Sequence, residues 1–157
     1  MIKDINIREA TLDDIPEITS IFRDTVRSVN KADYSEKQIE IWSSGADDID
    51  VWEDRINNLY FIVAEIGNHI VGFAYIVKGC NLEGLYVHRD YQRRTIGSKL
   101  LRIAESHIMA DGYEIINADS SITSVDFFDS HYFEQIKKQK KSYKGKGFAY
   151  SIFSKEL

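Results

Sequence analysis

Arg89, Gln92, Arg93, Arg94 and Gly97 cluster between a strand-like run, residues 82–87, and a helix-like run with Leu100, Leu101, Ala104 and Ile108 on one face. A helix start carries unpaired backbone N–H groups and the positive end of the helix dipole. Guanidinium groups beside it, with a glycine that lets the backbone approach closely, make an anion site, most naturally for a phosphate or pyrophosphate. The spacing excludes two common phosphate loops. No Gly-Lys-Ser/Thr follows, as a P-loop requires, and the three-glycine spacing of a dinucleotide fold is missing. The competing reading is an ordinary strand–helix loop with a solvated basic face.

Elements on both sides must position this loop. Residues 5–10 alternate as a first strand. Thr11, with Asp14 three residues on and Pro16 in the first turn, starts a helix whose stripe is Ile15, Ile18, Thr19, Phe22, Val26 and Val29. Ser35 and Gln38 form a capping box for a second helix that turns Ile39 and Trp42 inward and ends at Gly45; residues 51–57 suit another short helix. Strands are expected over 60–66, 69–77 and 82–87, joined by turns at Gly67-Asn68 and Lys78-Gly79. Gly112 closes the helix after the basic loop. A strand over 114–118, a short helix over 123–130 with Phe127 and Phe128, and two strands over 134–143 and 148–155 around a Lys144–Gly147 turn complete the chain. The order β-α-α-β-β-β-α-β-α-β-β describes a mixed α/β domain spanning residues 1–157.

The 157-residue chain is 43% hydrophobic and 12% aromatic, enough for a buried core, with one proline and no repeat or low-complexity linker. Its single cysteine, Cys80, makes no internal disulfide, and no Cys-x-x-Cys or closely spaced His pair offers a metal site. No apolar run approaches a membrane span, and the charged N-terminus lacks a signal sequence, so a soluble cytoplasmic protein is expected. The net charge of −5 divides unevenly: −10 over residues 1–133 and +5 over 134–157, where seven lysines face two glutamates. An acidic body argues against general nucleic-acid binding. The lysines fall on a strand and its turn, where they discourage edge-to-edge pairing.

Leu85-Tyr86-Val87, then Gln92-Arg93-Arg94-Thr95-Ile96-Gly97-Ser98, then Leu100-Leu101, resemble the acetyl-CoA loop of the Gcn5-related N-acetyltransferases (GNAT). The resemblance spans the chain. It includes the Ile7-Arg8-x-Ala10-Thr11-x-x-Asp14 opening, the Val71-Gly72-Phe73 hairpin and the Ser121-Ile122-Thr123 segment ahead of Phe127-Phe128. Tyr34-Ser35-x-x-Gln38 with Trp42 resembles a bacterial subgroup. The family implies a splayed mixed sheet of about seven strands flanked by helices and acetyl-CoA as co-substrate, and leaves a homodimer open; from composition, no metal, membrane or nucleic-acid partner is expected. It implies that the main chain of Leu85, Tyr86 and Val87 pairs with the pantetheine arm like an added strand. The segment Gln92, Arg93, Arg94, Thr95, Ile96, Gly97 and Ser98 would hold the pyrophosphate, and Phe127 and Phe128 would line the thioester end. Tyr34 or Trp42, on helices that roof the acceptor pocket in the family, could contact substrate.

Three positions depart from the pattern. Thr95 replaces the first glycine of the loop. Phe128 lies where many relatives carry a tyrosine proposed to protonate the departing thiolate. Tyr132 stands where glycine usually precedes Phe133, and either supplies the missing hydroxyl or fills space. An acid is dispensable, because a thiol with a pKa of about 8.5 is already a fair leaving group. The attacking amine, in contrast, must lose a proton first, since its pKa is about 10. Glu83 is the candidate base, on the strand feeding the loop and in phase with Leu85 and Val87 by the two-residue period; the alternative is a solvent-edge or ion-paired strand residue. Cys80 reads as a small filler rather than an acyl carrier. His69, His88 and His107 read as surface or packing residues, whereas His131 lies near the thioester end. The expectation is direct acetyl transfer to a primary amine in a ternary complex, with a non-catalytic acyl-CoA sensor as the alternative.

Overall fold

A computed structural model describes residues 4–93 and 95–157, so the expectation for Arg94 falls outside the described residues. The elements are β1 (Ile5–Glu9), α1 (Ile15–Ser28), α2 (Glu36–Ser43), α3 (Ile49–Asn58), β2 (Tyr60–Ile66), β3 (His69–Val77), β4 (Asn81–Val87), α4 (Ile96–Ala110), β5 (Ile115–Ser120), α5 (Val125–Ser130), β6 (Glu134–Tyr143) and β7 (Lys146–Glu156). The strands make one seven-stranded sheet in the order β1-β2-β3-β4-β5-β7-β6. Every neighbouring pair is antiparallel except β4–β5. This is the mixed, helix-flanked seven-stranded architecture expected. Among the described residues no helix is long and apolar enough to cross a membrane.

Local chemistry explains the element ends. The Thr11 backbone N–H donates to Asp14 Oδ2 at 2.8 Å, but the turn it caps, Leu12–Asp14, is 3-10, and α1 begins after it with Pro16 in its first turn. Ser35 and Gln38 cap α2 reciprocally at 2.9 and 3.1 Å. Instead of ending at Gly45, α2 stops at Ser43 and a 3-10 turn, Ser44–Asp47, carries the chain on. The Gly45 carbonyl there accepts the Trp52 indole N–H at 3.0 Å, fixing α3 against that turn.

Each face of the sheet has its own core. On one face α4 and α5 bury Leu100, Leu101, Ile108 and Phe128 against Ala74, Leu82 and Phe153. On the other, α1 to α3 bury Ile18, Phe22, Val26 and Trp52 against Phe61, Phe73 and Tyr75. Glu83 falls between these two sets. Tyr75 pairs with Gly84 and Ile76 with Leu82, which leaves Glu83 as the extra residue of a β-bulge. The expected phase with Leu85 and Val87 is therefore broken: Leu82 and Leu85, three apart, both belong to the α4 face. A bulge bends its strand and increases its twist. The parallel ladder to β5 stops at Leu82–Ala118, immediately before this bulge. The divergence of β4 and β5 beyond that point opens the sheet.

Two strand ends also differ from expectation. Pairing with β7 continues through Ser120, so β5 runs two residues past Ala118 and carries Asp119 and Ser120 to the opening. The final hairpin turn is only Lys144-Gly145, both at positive φ (49° and 80°), with Tyr143 and Lys146 already paired. That is the conformation a two-residue hairpin requires. The lysines at 137, 138, 140 and 141 lie on β6, the sheet edge, as the lysine pattern predicts.

Candidate active site

The opening between β4 and β5 is a cavity of about 510 Å³ that runs from α1–α3 on one side to the start of α4 and α5 on the other. Its position outside the carboxyl ends of two parallel strands, where the sheet divides, is where open α/β sheets place ligands.

One end is built around the basic loop. Leu85 and Val87 pack partly buried against the α4 core, while Tyr86 turns to the opposite face. Past Leu82 the β5-facing edge of β4 has no ladder partner. Exposed strand-edge amides of this kind pair with an extended amide-bearing ligand. The Val87 carbonyl is engaged, accepting Gln92 Nε2 at 2.6 Å and Thr25 Oγ1 at 3.2 Å. Gln92 and Gly97 line the cavity, Arg93 and Thr95 are exposed beside it, and Ile96 is buried in the core. Only the Ile96 backbone is therefore available to a ligand. Thr95 caps α4 at φ +67°, a left-handed backbone that a β-branched residue adopts only under strain. The glycine that the loop pattern carries there would adopt it freely.

The α5 end is tied to the start of α4. His131 Nδ1–H donates to the Phe127 carbonyl at 2.7 Å, which leaves Nε2 to accept the Ser98 hydroxyl, also at 2.7 Å. The imidazole stacks on Phe127 at 4.2 Å between centroids. Ser98 and His131 thus brace Phe127, which lines the cavity across from Gly97. A Cβ added at Gly97 would come within 3.1 Å of the Phe127 ring. Phe128 also lines the cavity but is 3% exposed, wedged against Phe133 and Phe153. These features fit a pyrophosphate-bearing thioester: a backbone-lined helix start, an unpaired strand edge and an apolar end.

The other end is aromatic and carries both signs of charge. Glu83, Asp119 and Arg55 line it with Tyr34, Trp42 and Tyr86; Asp48, paired with Lys144 at 3.1 Å, and Lys141, over the Tyr150 ring, also line the cavity. Burial pushes the Tyr86 phenol up to about 12, even though the Trp42 indole N–H donates to its oxygen. Like any tyrosine, Tyr86 is neutral near pH 7, and burial makes its proton harder to remove. Burial raises the Tyr75 phenol further still, and Gly84 lets the Tyr75 ring lie across β4, since a Cβ there would overlap it at 2.1 Å. The Tyr34 hydroxyl accepts the Ile122 N–H at 2.9 Å and donates to the Ala149 carbonyl at 3.4 Å. It clamps the segment after β5 to β7 while its ring meets Trp42 edge-on at 5.1 Å.

Tyr132 stands apart. It is 85% exposed, lies outside the cavity, and holds φ at +69°. Three cavity residues escaped sequence reasoning. Asp119 sat beyond the expected end of β5. Tyr86 was read for its main chain alone. Arg55 was not singled out, although Trp52 and Arg55 share one helix face at i, i+3. Among the described residues no group of three or more His, Cys, Asp or Glu is arranged to hold a metal ion.

A family model described as "Acetyltransferase (GNAT) domain" matches residues 30–154. A protein of Escherichia coli K12 named as an uncharacterized N-acetyltransferase, YafP, is 27% identical over 144 residues, 92% of this chain and 91% of that protein. A Gcn5-related N-acetyltransferase crystal structure from Rhodopseudomonas palustris superposes with a TM-score of 0.95 at 28% identity, covering 100% of this chain and 99% of that one. The PaiA N-acetyltransferase of Thermoplasma acidophilum, solved with coenzyme A, shares the fold at a TM-score of 0.79 and 20% identity, covering 98% and 99%.

Proposed function

The chain belongs to the GNAT acetyltransferase family, and from that premise we propose that it moves an acetyl group from acetyl-CoA to a primary amine by direct attack in a ternary complex. The observation that carries this reading is the split between β4 and β5. It exposes a strand edge and a helix start at one end, and sets Glu83 in the same cavity at the bulge.

Acetyl-CoA brings a thioester at whose acyl carbon the amine forms a C–N bond as the C–S bond breaks and CoA leaves as thiolate. The chain supplies the rest. The α4 start and Gly97 receive the pyrophosphate, and Phe127, braced by Ser98 and His131, closes the thioester end against water. Glu83 accepts the proton an ammonium must lose before its lone pair can react. The Tyr86 hydroxyl lines the same cavity and holds a proton to donate, a role that Phe128 cannot fill and that exposed Tyr132 is poorly placed for.

The rival reading, acyl-CoA binding without turnover, rests on Phe128, which has no hydroxyl to give the departing thiolate, together with the strained Thr95. Calorimetry with acetyl-CoA followed by two-substrate initial-velocity analysis tests the proposal. Saturable binding and intersecting double-reciprocal lines are expected. Absence of binding at millimolar acetyl-CoA overturns both CoA readings, and parallel lines overturn direct attack in favour of an acyl-enzyme route.

A further inference from the structure

Arg55 is a cation stationed in the acceptor end of the cavity, held by two aromatic rings and with no ion-pair partner among the described residues. Its guanidinium carbon lies 4.7 Å from the Trp52 ring centroid and 4.9 Å from that of Tyr75. Both rings are fixed. Trp52 is 1% exposed and anchored through its indole N–H to Gly45, and Tyr75 is buried over Gly84. The guanidinium makes no ion pair and no side-chain hydrogen bond among the described residues, whereas Arg8 and Arg23 each make an ion pair. Two aromatic faces hold an arginine by its plane and leave its edge, with the N–H fork, directed elsewhere. That fork matches a carboxylate in bidentate geometry. Glu83 and Asp119 line the same end, so the cavity offers an anion for a cationic amine and a cation for an anionic group. An acceptor bearing only an amine would engage the carboxylates and leave the half-buried Arg55 fork without a charged hydrogen-bond partner.

We propose that Arg55 binds a carboxylate on the acceptor, so that the amine acetylated here belongs to an amino-carboxylic acid with an apolar or aromatic side chain. The amine lies toward Glu83, the carboxylate against Arg55, and the side chain against Tyr34, Trp42 and Phe148, whose rings pack together at 5.1 to 6.3 Å. Arg55 selects the acceptor without joining the reaction. This inference rests on the acetyltransferase reading above.

The test pairs amines that differ only by the carboxylate: L-phenylalanine with phenethylamine, and L-tryptophan with tryptamine. Acetylation by wild type, Arg55→Gln and Arg55→Lys is followed as kcat/KM, with acetyl-CoA binding and Tm measured on each protein. Wild type should favour the amino acids. Arg55→Gln should lower kcat/KM for them by about 10- to 100-fold, the value of a lost charge-assisted contact. It should leave the decarboxylated amines and acetyl-CoA binding nearly unchanged, and Arg55→Lys should recover part of the loss. Equal losses for both members of a pair, no wild-type preference, or turnover of none of the four amines by protein that binds acetyl-CoA would overturn the inference alone. Failure to bind acetyl-CoA would overturn the acetyltransferase reading as well.

Discussion

At the scale of single residues, Glu83 carries the chemical claim. Its neighbours Tyr86 and Tyr75 are phenols, uncharged near pH 7 and held so to still higher pH by burial. Glu83→Gln should lower kcat/KM by about 10²-fold or more near pH 7, a usual cost for a removed general base. The deficit should shrink toward pH 10 as solvent deprotonates the amine; full activity at every pH would make Glu83 structural. Tyr132 gives the complementary case. Tyr132→Phe should leave kcat/KM unchanged, and a tenfold loss would restore it as the acid. The residue type at 83 was legible in the sequence and its neighbourhood was not. A period-two count cannot anticipate an inserted bulge residue, because the bulge depends on how Tyr75 and Gly84 meet across two strands.

At the scale of elements, the start of α4 and the end of α5 act together. The strand–loop–helix from β4 to α4 was readable from Leu85, Gly97 and the Leu100 stripe. Its brace was not, because Ser98 and His131 lie 33 residues apart and meet only when α5 folds back. Gly97 now has a defined neighbour. Gly97→Val would add bulk 3.1 Å from Phe127 and 3.7 Å from Val87, on the side that opens into the cavity. Calorimetry should show acetyl-CoA binding at least tenfold weaker, with far-UV circular dichroism unchanged, since valine is tolerated better than glycine in a helix. Unchanged affinity would contradict the assignment of this helix start to the pyrophosphate. The same dependence on tertiary pairing explains Asp119: β5 was expected to end at Ala118, and only its ladder with β7 extends it into the site.

At the scale of the whole molecule, the uneven charge acquires a location. The excess acid includes Glu83 and Asp119 in the cavity, and the basic surplus of the last residues lies largely along the exposed edge strand. One acidic residue also ties the N-terminal strand to the helical layer. Asp14 takes two hydrogen bonds from the Arg8 guanidinium at 2.8 and 2.9 Å and caps Thr11. The Arg8 contact holds its carboxyl below the ordinary value. A depressed carboxyl contributes stability that is fully present above its unfolded pKa of about 4 and is lost as pH falls through its folded value. Asp14→Asn should therefore cost about 2 kcal/mol at pH 7, discounted for the partly exposed Arg8. It should also flatten the loss of stability below pH 4, as read by urea unfolding at several pH values. An unchanged acid limb would remove Asp14 from that role. The order of elements across the chain was legible because helix and strand periods and turn residues are local signals. The acceptor's chemistry was not, because Arg55, Glu83 and Asp119 come from three separate segments that only the sheet's division brings together.

The central claim is amine-dependent acetyl transfer, and one measurement addresses it directly. Purified protein is mixed with acetyl-CoA with and without an amino acid acceptor, and free thiol is followed while the N-acetyl product is quantified by mass spectrometry. The account predicts thiol release that requires the amine, matches the N-acetyl product mole for mole, and falls by about 10²-fold or more in Glu83→Gln at pH 7. Saturable acetyl-CoA binding with no amine-dependent thiol release across a panel of primary amines would contradict it and leave a protein that binds the thioester without using it.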